Sequence, residues 1–305
     1  MKALVVGYGS IGQRHCAVLQ GLGHKVAVVS RQALEQLQRF HTLEEGVHAF
    51  SPDYVVVANP TSEHLDSLTV LAGLGYRGRV LVEKPLFAAP AAMPAHAFTS
   101  LSVGYNLRFH PLLTELRKRV AASPAIAAHV YTGQWLPEWR PGQDYRATYS
   151  ARRAQGGGVL RDLSHDLDYL CWLLGPPAHG CALLGKVSDL EIDTEDYCSL
   201  MYQSAQGALA TLHLNYLDRP ARRECVLHTR AGTWRADFIT GVLGCGSETQ
   251  SFEIERNQTY ADMHRAVLDG DHADRLCDAA QGLRVVELIA AFEKSSATRS
   301  WMAPS

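Results

Sequence analysis

The amino-acid sequence predicts an α/β protein of two domains, in which a doubly wound parallel sheet is followed by an α+β domain with a largely antiparallel open sheet. Over roughly the first 100 residues, short β-branched runs alternate with helical stretches, which is typical of a parallel sheet with helices on both faces. From about residue 108, longer strand-like runs follow one another without crossover helices, which indicates antiparallel pairing. The length of 305 residues suits two domains of about 100–200 residues each.

The first domain is predicted to span residues 1–107. Its strands are predicted from β-branched runs at residues 3–6, 25–30, 54–58, 80–83 and 102–105. Helical stretches lie between these runs, among them residues 11–22 and 64–74. Because the strands are parallel, their carboxyl ends meet at one edge of the sheet, where open α/β sheets bind ligands.

The second domain is predicted to span residues 108–305. Its strands are predicted at residues 125–133, 181–187, 196–202, 208–217, 224–229 and 232–237. Helices at residues 111–122, 160–174 and 275–294 are expected to cover one face of this sheet.

Composition and charge exclude several kinds of partner. The net charge of −2 gives no electrostatic reason to expect binding to nucleic acid or to an anionic membrane surface. No apolar run reaches the roughly 18–20 residues of a membrane span. The first seven residues already predict a buried strand, so no signal peptide is expected. The seven cysteines are scattered and form no CxxC pair, which predicts a cytoplasmic protein without a zinc site or any other metal site.

A glycine-rich turn follows the first predicted strand. Gly7, Gly9 and Gly12 form a GxGxxG sequence that ends a strand and begins a helix. The first glycine allows a tight turn, the second lets a pyrophosphate approach the backbone, and the third lets helix and strand pack closely. The helix N-terminus, at Ser10 and Ile11, offers N–H groups to phosphates. The turn therefore predicts a dinucleotide site in a Rossmann domain.

The end of the second strand bears on the choice of coenzyme. NAD sites usually carry an acidic residue there, which binds the ribose 2′-hydroxyl. This chain has Ser30 and Arg31 instead. A serine donates a hydrogen bond and an arginine pairs with a 2′-phosphate, so we expect NADP(H) to be favoured over NAD(H). The alternative is that Arg31 is a solvated surface charge.

Four further motifs follow in order along the chain. They are ANPTSEH at 58–64, EKP at 83–85, VGYNLRF at 103–109 and GGGVL at 156–160. In this order and spacing the chain resembles the Gfo/Idh/MocA oxidoreductase family over nearly its whole length. The resemblance implies an N-terminal Rossmann domain and a C-terminal domain that binds substrate. It also implies a homodimer or homotetramer formed through the C-terminal sheet.

The resemblance implies coenzyme contacts beyond the glycine turn, from two further strand ends and from the segment that closes the first domain. The expected coenzyme ligands are Gly7, Gly9, Ser10, Ile11, Gly12, Ser30, Arg31, Asn59, Pro60, Thr61, His64, Glu83, Lys84 and Asn106.

Lys84 is the most informative single residue. A lysine at the carboxyl end of a parallel strand points into the ligand crevice of a doubly wound sheet. Partly desolvated there, it can exchange a proton with a substrate hydroxyl. The family has a catalytic or positioning lysine at this place, and relatives suggest a cis bond before Pro85. The alternative is an exposed lysine that pairs with Glu83.

Residues 159–174 predict a helix with a polar stripe. Asp162, His165, Asp166 and Tyr169 recur at i, i+3, i+4 and i+7, opposite a face of leucines. Such a stripe is either solvated surface or a ligand-binding face, and the preceding glycines allow a close approach. The family has a histidine here with an aspartate four residues before it, and this chain departs from that spacing by one residue. We expect His165 and Asp162 to be catalytic, with Asp166 as an alternative partner of the histidine.

The stretch 133–150 is rich in aromatic and arginine side chains, which stack on sugar faces and bind hydroxyls or a phosphate. It is similar to family members of bacterial surface-sugar and sialic-acid-like biosynthesis. The alternative is an aromatic loop that packs over the second domain. The expected substrate ligands are Lys84, Arg108, Trp135, Trp139, Arg140, Tyr145, Arg146, Tyr149, Asp162, His165 and Asp166.

The function expected from these features is reversible hydride transfer between NADP(H) and a carbinol or ketone carbon of a sugar, nucleotide sugar or sugar acid. Two alternatives stay open. One is a reductase of the same family with a non-sugar substrate of the biliverdin or diol type. The other is a sensor that binds the coenzyme without turnover, against which the presence of Lys84 and His165 argues.

Overall fold

The structure, a computed structural model, describes residues 1–34 and 36–302. The chain forms two compact units. The first comprises Met1–Phe109 and Glu255–Val286, and the second comprises His110–Ile254 and Glu287–Ser305. The sequence predicted a second domain that runs without interruption from residue 108, whereas residues 255–286 pack with the first unit.

The first unit is built on a seven-stranded sheet. Its strands are β1 (Lys2–Val6), β2 (Lys25–Val29), β3 (Gln38–Phe40), β4 (Tyr54–Val57), β5 (Arg79–Val82), β6 (Ser100–Val103) and β15 (Cys277–Asp278). Their order is β15-β6-β5-β4-β1-β2-β3, with β15 antiparallel at the edge and the other six parallel. The predicted doubly wound parallel sheet is confirmed, and the strand order reverses between β1 and β4.

The helices of the first unit are α1 (Ser10–Gly21), α2 (Leu43–Phe50), α3 (His64–Gly73), α7 (Gln258–Asp269) and the beginning of α8 (Ala279–Thr298). Helix α7 packs Met263 and Val267 into the same apolar core as Val5 and Val28 of the central strands. Burial of apolar side chains of this size stabilises by about 1.5–3 kcal/mol each, which explains why this distant segment belongs to the first unit.

The second unit is built on an eight-stranded sheet in the order β14-β13-β12-β11-β7-β10-β9-β8. Its strands are β7 (Ala125–Gly133), β8 (Pro177–Gly185), β9 (Tyr197–Ser204), β10 (Leu209–Asn215), β11 (Arg222–Thr229), β12 (Gly232–Asp237), β13 (Val242–Cys245) and β14 (Glu248–Ser251). Only β7 and β10 pair in parallel, so the prediction of a largely antiparallel sheet is confirmed. Its helices are α4 (Pro111–Ala122), α5 (Val159–Asp162), α6 (Ser164–Leu174) and the end of α8.

The predicted helix 160–174 is two helices. The backbone leaves the helical region at Leu163, with φ −97° and ψ 21°, and this residue separates α5 from α6. A polar stripe laid on one continuous helix therefore does not exist as a single face.

Several elements went unpredicted, namely α2, α7, β3, β13, β14 and β15, the last of which lies inside the helix expected at 275–294. The strand expected at 102–105 lies at Ser100–Val103, and the helix expected at 275–294 lies at Ala279–Thr298. Within the described ranges, no helix is both long and apolar enough to cross a bilayer.

Candidate active site

The glycine turn lies between β1 and α1, where the strand order reverses. Gly7 has φ +94°, and a Cβ on it would lie 2.7 Å from the carbonyl oxygen of Ala58. A Cβ on Gly12 would overlap the carbonyl oxygen of Gly7. The position of Gly9 is open, with nothing within 4 Å of an added Cβ, and no side chain caps α1. Two glycines are thus required by the backbone, and the third leaves helix N–H groups accessible to a pyrophosphate.

A cluster of basic side chains lies at the end of β2. The Ser30 hydroxyl, largely buried, accepts a hydrogen bond from the Gln32 N–H at 3.0 Å. Arg31 is exposed. Arg39 of β3 extends to the Ser30 carbonyl oxygen at 3.5 Å and contacts His41 Nε2 at 3.0 Å. Sequence reasoning missed Arg39 because β3 was not predicted, and only the pairing of β3 with β2 brings its guanidinium to this turn.

The loop after β4 holds the next group of expected coenzyme ligands. Asn59 and Thr61 are half-buried and Pro60 is exposed. His64 is buried, and its two ring nitrogens face the carbonyl oxygens of Asn59 and Pro85, each at 3.1 Å. His64 therefore links the loop after β4 to the loop after β5. Contacts of this kind hold the two loops in position.

Glu83 and Lys84 follow β5. Glu83 is buried; its Oε1 lies 2.8 Å from His15 Nε2, and its Oε2 accepts the Lys84 backbone N–H at 3.2 Å. Burial alone raises the pKa of Glu83, but the hydrogen bond from His15 and the charge of Lys84 lower it overall. Lys84 is half-buried, and its bond to Pro85 is cis. Sequence reasoning missed His15, whose place on an apolar helix face gives no sign of its partner.

Two expected ligands, Asn106 and Arg108, make hydrogen bonds to other residues of the first unit. The Asn106 amide donates to Thr259 Oγ1 at 2.7 Å. Arg108 is buried and donates to the Gln281 side chain at 2.7 Å and to the Leu276 carbonyl at 3.2 Å. These hydrogen bonds join the two parts of the first unit, residues 1–109 and residues 255–286.

In the second unit, the aromatic segment 134–150 contains short 3-10 turns and no strand. Trp139 stacks edge-on against Tyr216 and donates its indole N–H to the Gln134 carbonyl. The Arg140 guanidinium lies over the Tyr149 ring, 5.2 Å from its centroid. In the same unit, the Arg219 guanidinium lies 3.5 Å from the centroid of Trp135.

Asp162 lies at the end of α5 and is nearly buried. Its Oδ2 accepts the Tyr216 hydroxyl at 2.7 Å. Desolvation of the phenol and the nearby charge of Asp162 raise the pKa of Tyr149, although 38% of this residue is exposed. The structure therefore brings Asp162, Tyr149, Arg140 and the Trp139 ring into one neighbourhood.

Asp166 has a different environment. It is fully buried, and its carboxylate accepts from Thr132 Oγ1 at 2.9 Å and from Arg223 at 3.1 Å. Tyr169, on the same predicted stripe, is also fully buried. The two residues anchor α6 inside the second unit and present no open face to a ligand. His165 lies half-buried in the first turn of α6.

The glycines before α5 make close contacts with the protein itself. A Cβ on Gly157 would lie 2.7 Å from the carbonyl oxygen of Ser150, and it would overlap that of Tyr149. Gly158 has φ +120°, and a Cβ there would overlap the Glu195 carboxylate. The aromatic segment therefore packs on Gly157, and the Glu195 carboxylate packs on Gly158.

Two members of the aromatic segment lie farther out. Arg146 is about half exposed and pairs with Asp144 at 2.9 Å and Glu191 at 2.8 Å. The Tyr145 hydroxyl accepts the Glu191 backbone N–H at 3.2 Å. These contacts fix the outer part of the segment to the loop that precedes β9.

We expect the protein to lose stability steeply as the pH falls below about 6.5. His64, His110 and His264 are buried, and burial is the main cause that lowers the pKa of each, for His110 to about 4. Unfolded histidines bind protons below about pH 6.5, whereas these folded ones do not. Each therefore costs up to about 1.4 kcal/mol per pH unit from pH 6.5 downwards, and Tm should fall between pH 7 and 5.

His110→Asn is a matched test of this reasoning. His110 caps α4 by accepting the Leu112 N–H at 3.2 Å, and asparagine is an equally good cap that does not titrate. The variant should show a weaker dependence of Tm on pH, while exposed His48→Asn should not change it. A Tm that is constant from pH 7 to 5 would contradict the expectation.

The geometry of the first unit defines a class of protein. A phosphate-binding glycine turn sits at the reversal point of a parallel sheet in the order expected of a Rossmann fold. A lysine next to a buried carboxylate follows β5, which is the second strand from β1 in the sheet order. This combination is that of a dinucleotide-binding oxidoreductase fold.

Comparison with known families specifies the class. Residues 1–99 match the model of an oxidoreductase family with an NAD-binding Rossmann fold, and residues 125–235 match the Gfo/Idh/MocA C-terminal domain. The chain belongs to the Gfo/Idh/MocA oxidoreductase family.

Individual relatives agree with this assignment. The chain is 30% identical over 190 residues to the rhizopine catabolism protein MocA of Rhizobium meliloti, and the match covers 56% of each protein. The fold is that of the WlbA dehydrogenase from Bordetella pertussis, solved with NADH and UDP-GlcNAcA (TM-score 0.81, 20% identity, 99% and 98% coverage). It is also that of GenD2 from gentamicin A biosynthesis, solved with NAD (TM-score 0.81, 22% identity, 100% and 96% coverage).

Proposed function

We propose that the protein transfers hydride between NADP(H) and a carbinol or ketone carbon of a sugar, nucleotide sugar or sugar acid. The observation that carries this proposal is the half-buried Lys84, which follows β5 on the same sheet edge as the glycine turn. The family supports oxidoreductase chemistry, and solved structures with the same fold contain sugar-type ligands.

In this proposal Lys84 moves the proton of the reaction. A nicotinamide coenzyme held by the glycine turn would supply the hydride or accept it. Lys84 Nζ gives a proton to the substrate oxygen, or takes one from it, as the carbon is reduced or oxidised. Glu83 keeps a negative charge beside the lysine, and His64 fixes the loop that contains both. His165 and Asp162 are proposed as further catalytic residues that bind the reacting hydroxyl.

The aromatic segment of the second unit supports a sugar-type substrate. The Tyr149 and Trp135 rings each have an arginine guanidinium over one face, so each ring has an apolar surface with a charged group beside it. Sugars present C–H faces to such rings and hydroxyls to such polar groups. The contacts of Arg108 and Asp166 are internal, so we assign those two residues to anchoring and leave substrate binding to the others.

A substrate panel tests the function. Purified protein with each coenzyme is mixed with free sugars, sugar acids and nucleotide sugars, and the absorbance of reduced nicotinamide is followed in both directions. Turnover of one sugar class is the expected result. Tight coenzyme binding without turnover in any class would favour a sensor over an enzyme.

The face of the eight-stranded sheet that the helices leave uncovered supports the proposed homo-oligomer. Leu183, Met201 and Leu209 on adjacent strands are 66%, 47% and 57% exposed, whereas their alternating neighbours Leu200 and Leu212 are buried. Exposed apolar side chains grouped on one sheet face are typical of an association surface. We propose that two or four chains associate through this face, and light scattering on the purified protein measures that number.

A further inference from the structure

Four buried side chains of the first unit form a continuous line of hydrogen bonds. The Tyr54 hydroxyl lies 2.9 Å from His264 Nδ1, and His264 Nε2 lies 2.9 Å from His15 Nδ1. His15 Nε2 lies 2.8 Å from Glu83 Oε1. None of the four is more than 6% exposed. We call this line the histidine chain; it joins β4, α7, α1 and the end of β5.

The histidine chain has a direction. Among the hydrogen bonds of the described residues, the Tyr54 hydroxyl has a single acceptor, His264 Nδ1. If Tyr54 donates there, His264 carries its proton on Nε2 and donates to His15 Nδ1. His15 then carries its proton on Nε2 and donates to Glu83. Each hydrogen bond of the chain then has one donor and one acceptor, and the chain ends on an ionised carboxylate.

A proton on Glu83 Oε1 does not fit this arrangement, and Oε2 already accepts the Lys84 backbone N–H. If Glu83 donated to His15, both histidines would have to change tautomer, and His264 Nδ1 would carry a proton towards Tyr54. The Tyr54 hydrogen would then have no acceptor among the described residues, and a buried unsatisfied donor is costly. The tyrosine at one end therefore opposes protonation of the carboxylate at the other.

We propose that the histidine chain fixes the charge and position of Glu83 beside Lys84, and that its other three members are positioning residues for hydride transfer. The inference rests on the proposed role of Lys84. It makes α7, contributed by the C-terminal part of the chain, a functional part of the first unit.

The surroundings of Glu83 are consistent with this role. The titratable groups that interact with Glu83 are His15 from α1, the adjacent Lys84, Tyr54 from β4 and His64 from α3. Tyr76 interacts with Tyr54. His264 faces His15 and Tyr54, with His24 farther away. The Glu83 carboxylate is thus the only anion among these groups, and Lys84 is the cation next to it.

Tyr54→Phe is the decisive variant because it removes one hydroxyl without changing the shape of the core. Without that hydroxyl, His264 Nδ1 is unsatisfied in either direction of the chain, so Glu83 should take up a proton about one pH unit higher. We expect the ratio of kcat in Tyr54→Phe to kcat in wild type to be highest near pH 8 and to fall as the pH is lowered towards 5. Glu83→Gln, with a permanently neutral side chain, sets the level towards which the ratio falls.

Tyr76→Phe is the matched control. Tyr76 is also a buried tyrosine of the first unit, and its hydroxyl donates to the Pro52 carbonyl at 3.2 Å, so it takes no part in the hydrogen bonds of the histidine chain although it lies near Tyr54. The ratio of kcat in Tyr76→Phe to kcat in wild type should not change with pH. His264→Gln retains one donor and one acceptor and should keep more activity at low pH than His264→Phe. Samples returned to pH 8 must recover full activity, which excludes acid unfolding as the cause.

The tautomers provide a readout that does not depend on catalysis. Imidazole nitrogen chemical shifts in labelled protein should show both His15 and His264 neutral and protonated on Nε2. Any other tautomer, or a Tyr54→Phe ratio that is flat with pH, overturns the inference. If the tautomers agree and Lys84→Ala retains full activity, the proposed function fails while the chain stands as a structural feature.

Discussion

We expect Lys84→Ala to lower kcat by about 10²-fold or more, the scale on which a general acid–base group contributes. The side chain is half-buried, and the neighbouring Glu83 is held by its own partner, His15, at 2.8 Å. Removing the lysine therefore removes the proton donor without leaving Glu83 unpaired. Folding and coenzyme affinity should stay close to those of wild type, measured by Tm and by a fluorescence titration with coenzyme.

Two further variants show whether the proton or the charge of Lys84 matters. Lys84→Arg keeps a positive charge but does not release a proton near neutral pH, so it should be nearly as inactive as alanine. Lys25→Ala removes a lysine at the other end of the same sheet, at the start of β2, and should leave kcat unchanged. A Lys84→Ala enzyme with near-native kcat on its substrate would remove lysine from the mechanism.

We expect the protein to bind NADP(H) at least about tenfold more tightly than NAD(H). One charge-assisted contact to the 2′-phosphate contributes about 1.5–3 kcal/mol, and about 1.4 kcal/mol corresponds to a factor of ten. The structure supports this expectation with a second arginine, because Arg39 reaches the Ser30 turn next to the exposed Arg31. Titration of both coenzymes at moderate salt measures the preference.

Ser30→Asp should reverse the order of affinities. An aspartate at this position binds a free 2′-hydroxyl and repels a 2′-phosphate. Its carboxylate can also take over the hydrogen bond that the Ser30 hydroxyl accepts from the Gln32 N–H, so the turn should survive. Arg39→Gln should weaken NADP(H) binding alone, whereas Arg79→Gln, at the beginning of β5, should change neither affinity. Equal affinities of wild type for both coenzymes would mean that the basic cluster is surface charge.

The elements that the sequence predicted well are those with a local cause. The glycine turn was identified because its requirements arise within a few residues, from φ at Gly7 and from the packing of Gly12 on the preceding turn. The parallel strands were identified because a strand covered on both faces must be apolar throughout. Helix α7 was missed although its buried residues Thr259, Met263 and Val267 recur at helical spacing, and the local pattern does not show that this face packs against the core of the first unit.

The same distinction between local and distant causes applies to the site residues. Lys84 was identified from its place after a strand, but the internal contacts of Arg108 and Asp166 were not, because a polar residue in a sequence does not show its partner. Asp166 had the spacing of a ligand-binding stripe, and the Thr132 and Arg223 side chains that surround it come from other strands.

Local sequence patterns were enough to predict the fold class, the family, the glycine turn and the position of Lys84 after a strand, since each depends on local backbone geometry or on an ordered set of short motifs. The tertiary structure alone decided which polar side chains meet. His15 and His264 are 249 residues apart and form a hydrogen bond of 2.9 Å. Arg39 reaches the coenzyme turn only through pairing of β3 with β2. The physical reason is that hydrogen bonds and ion pairs act over about 3 Å in space, whatever the distance along the chain.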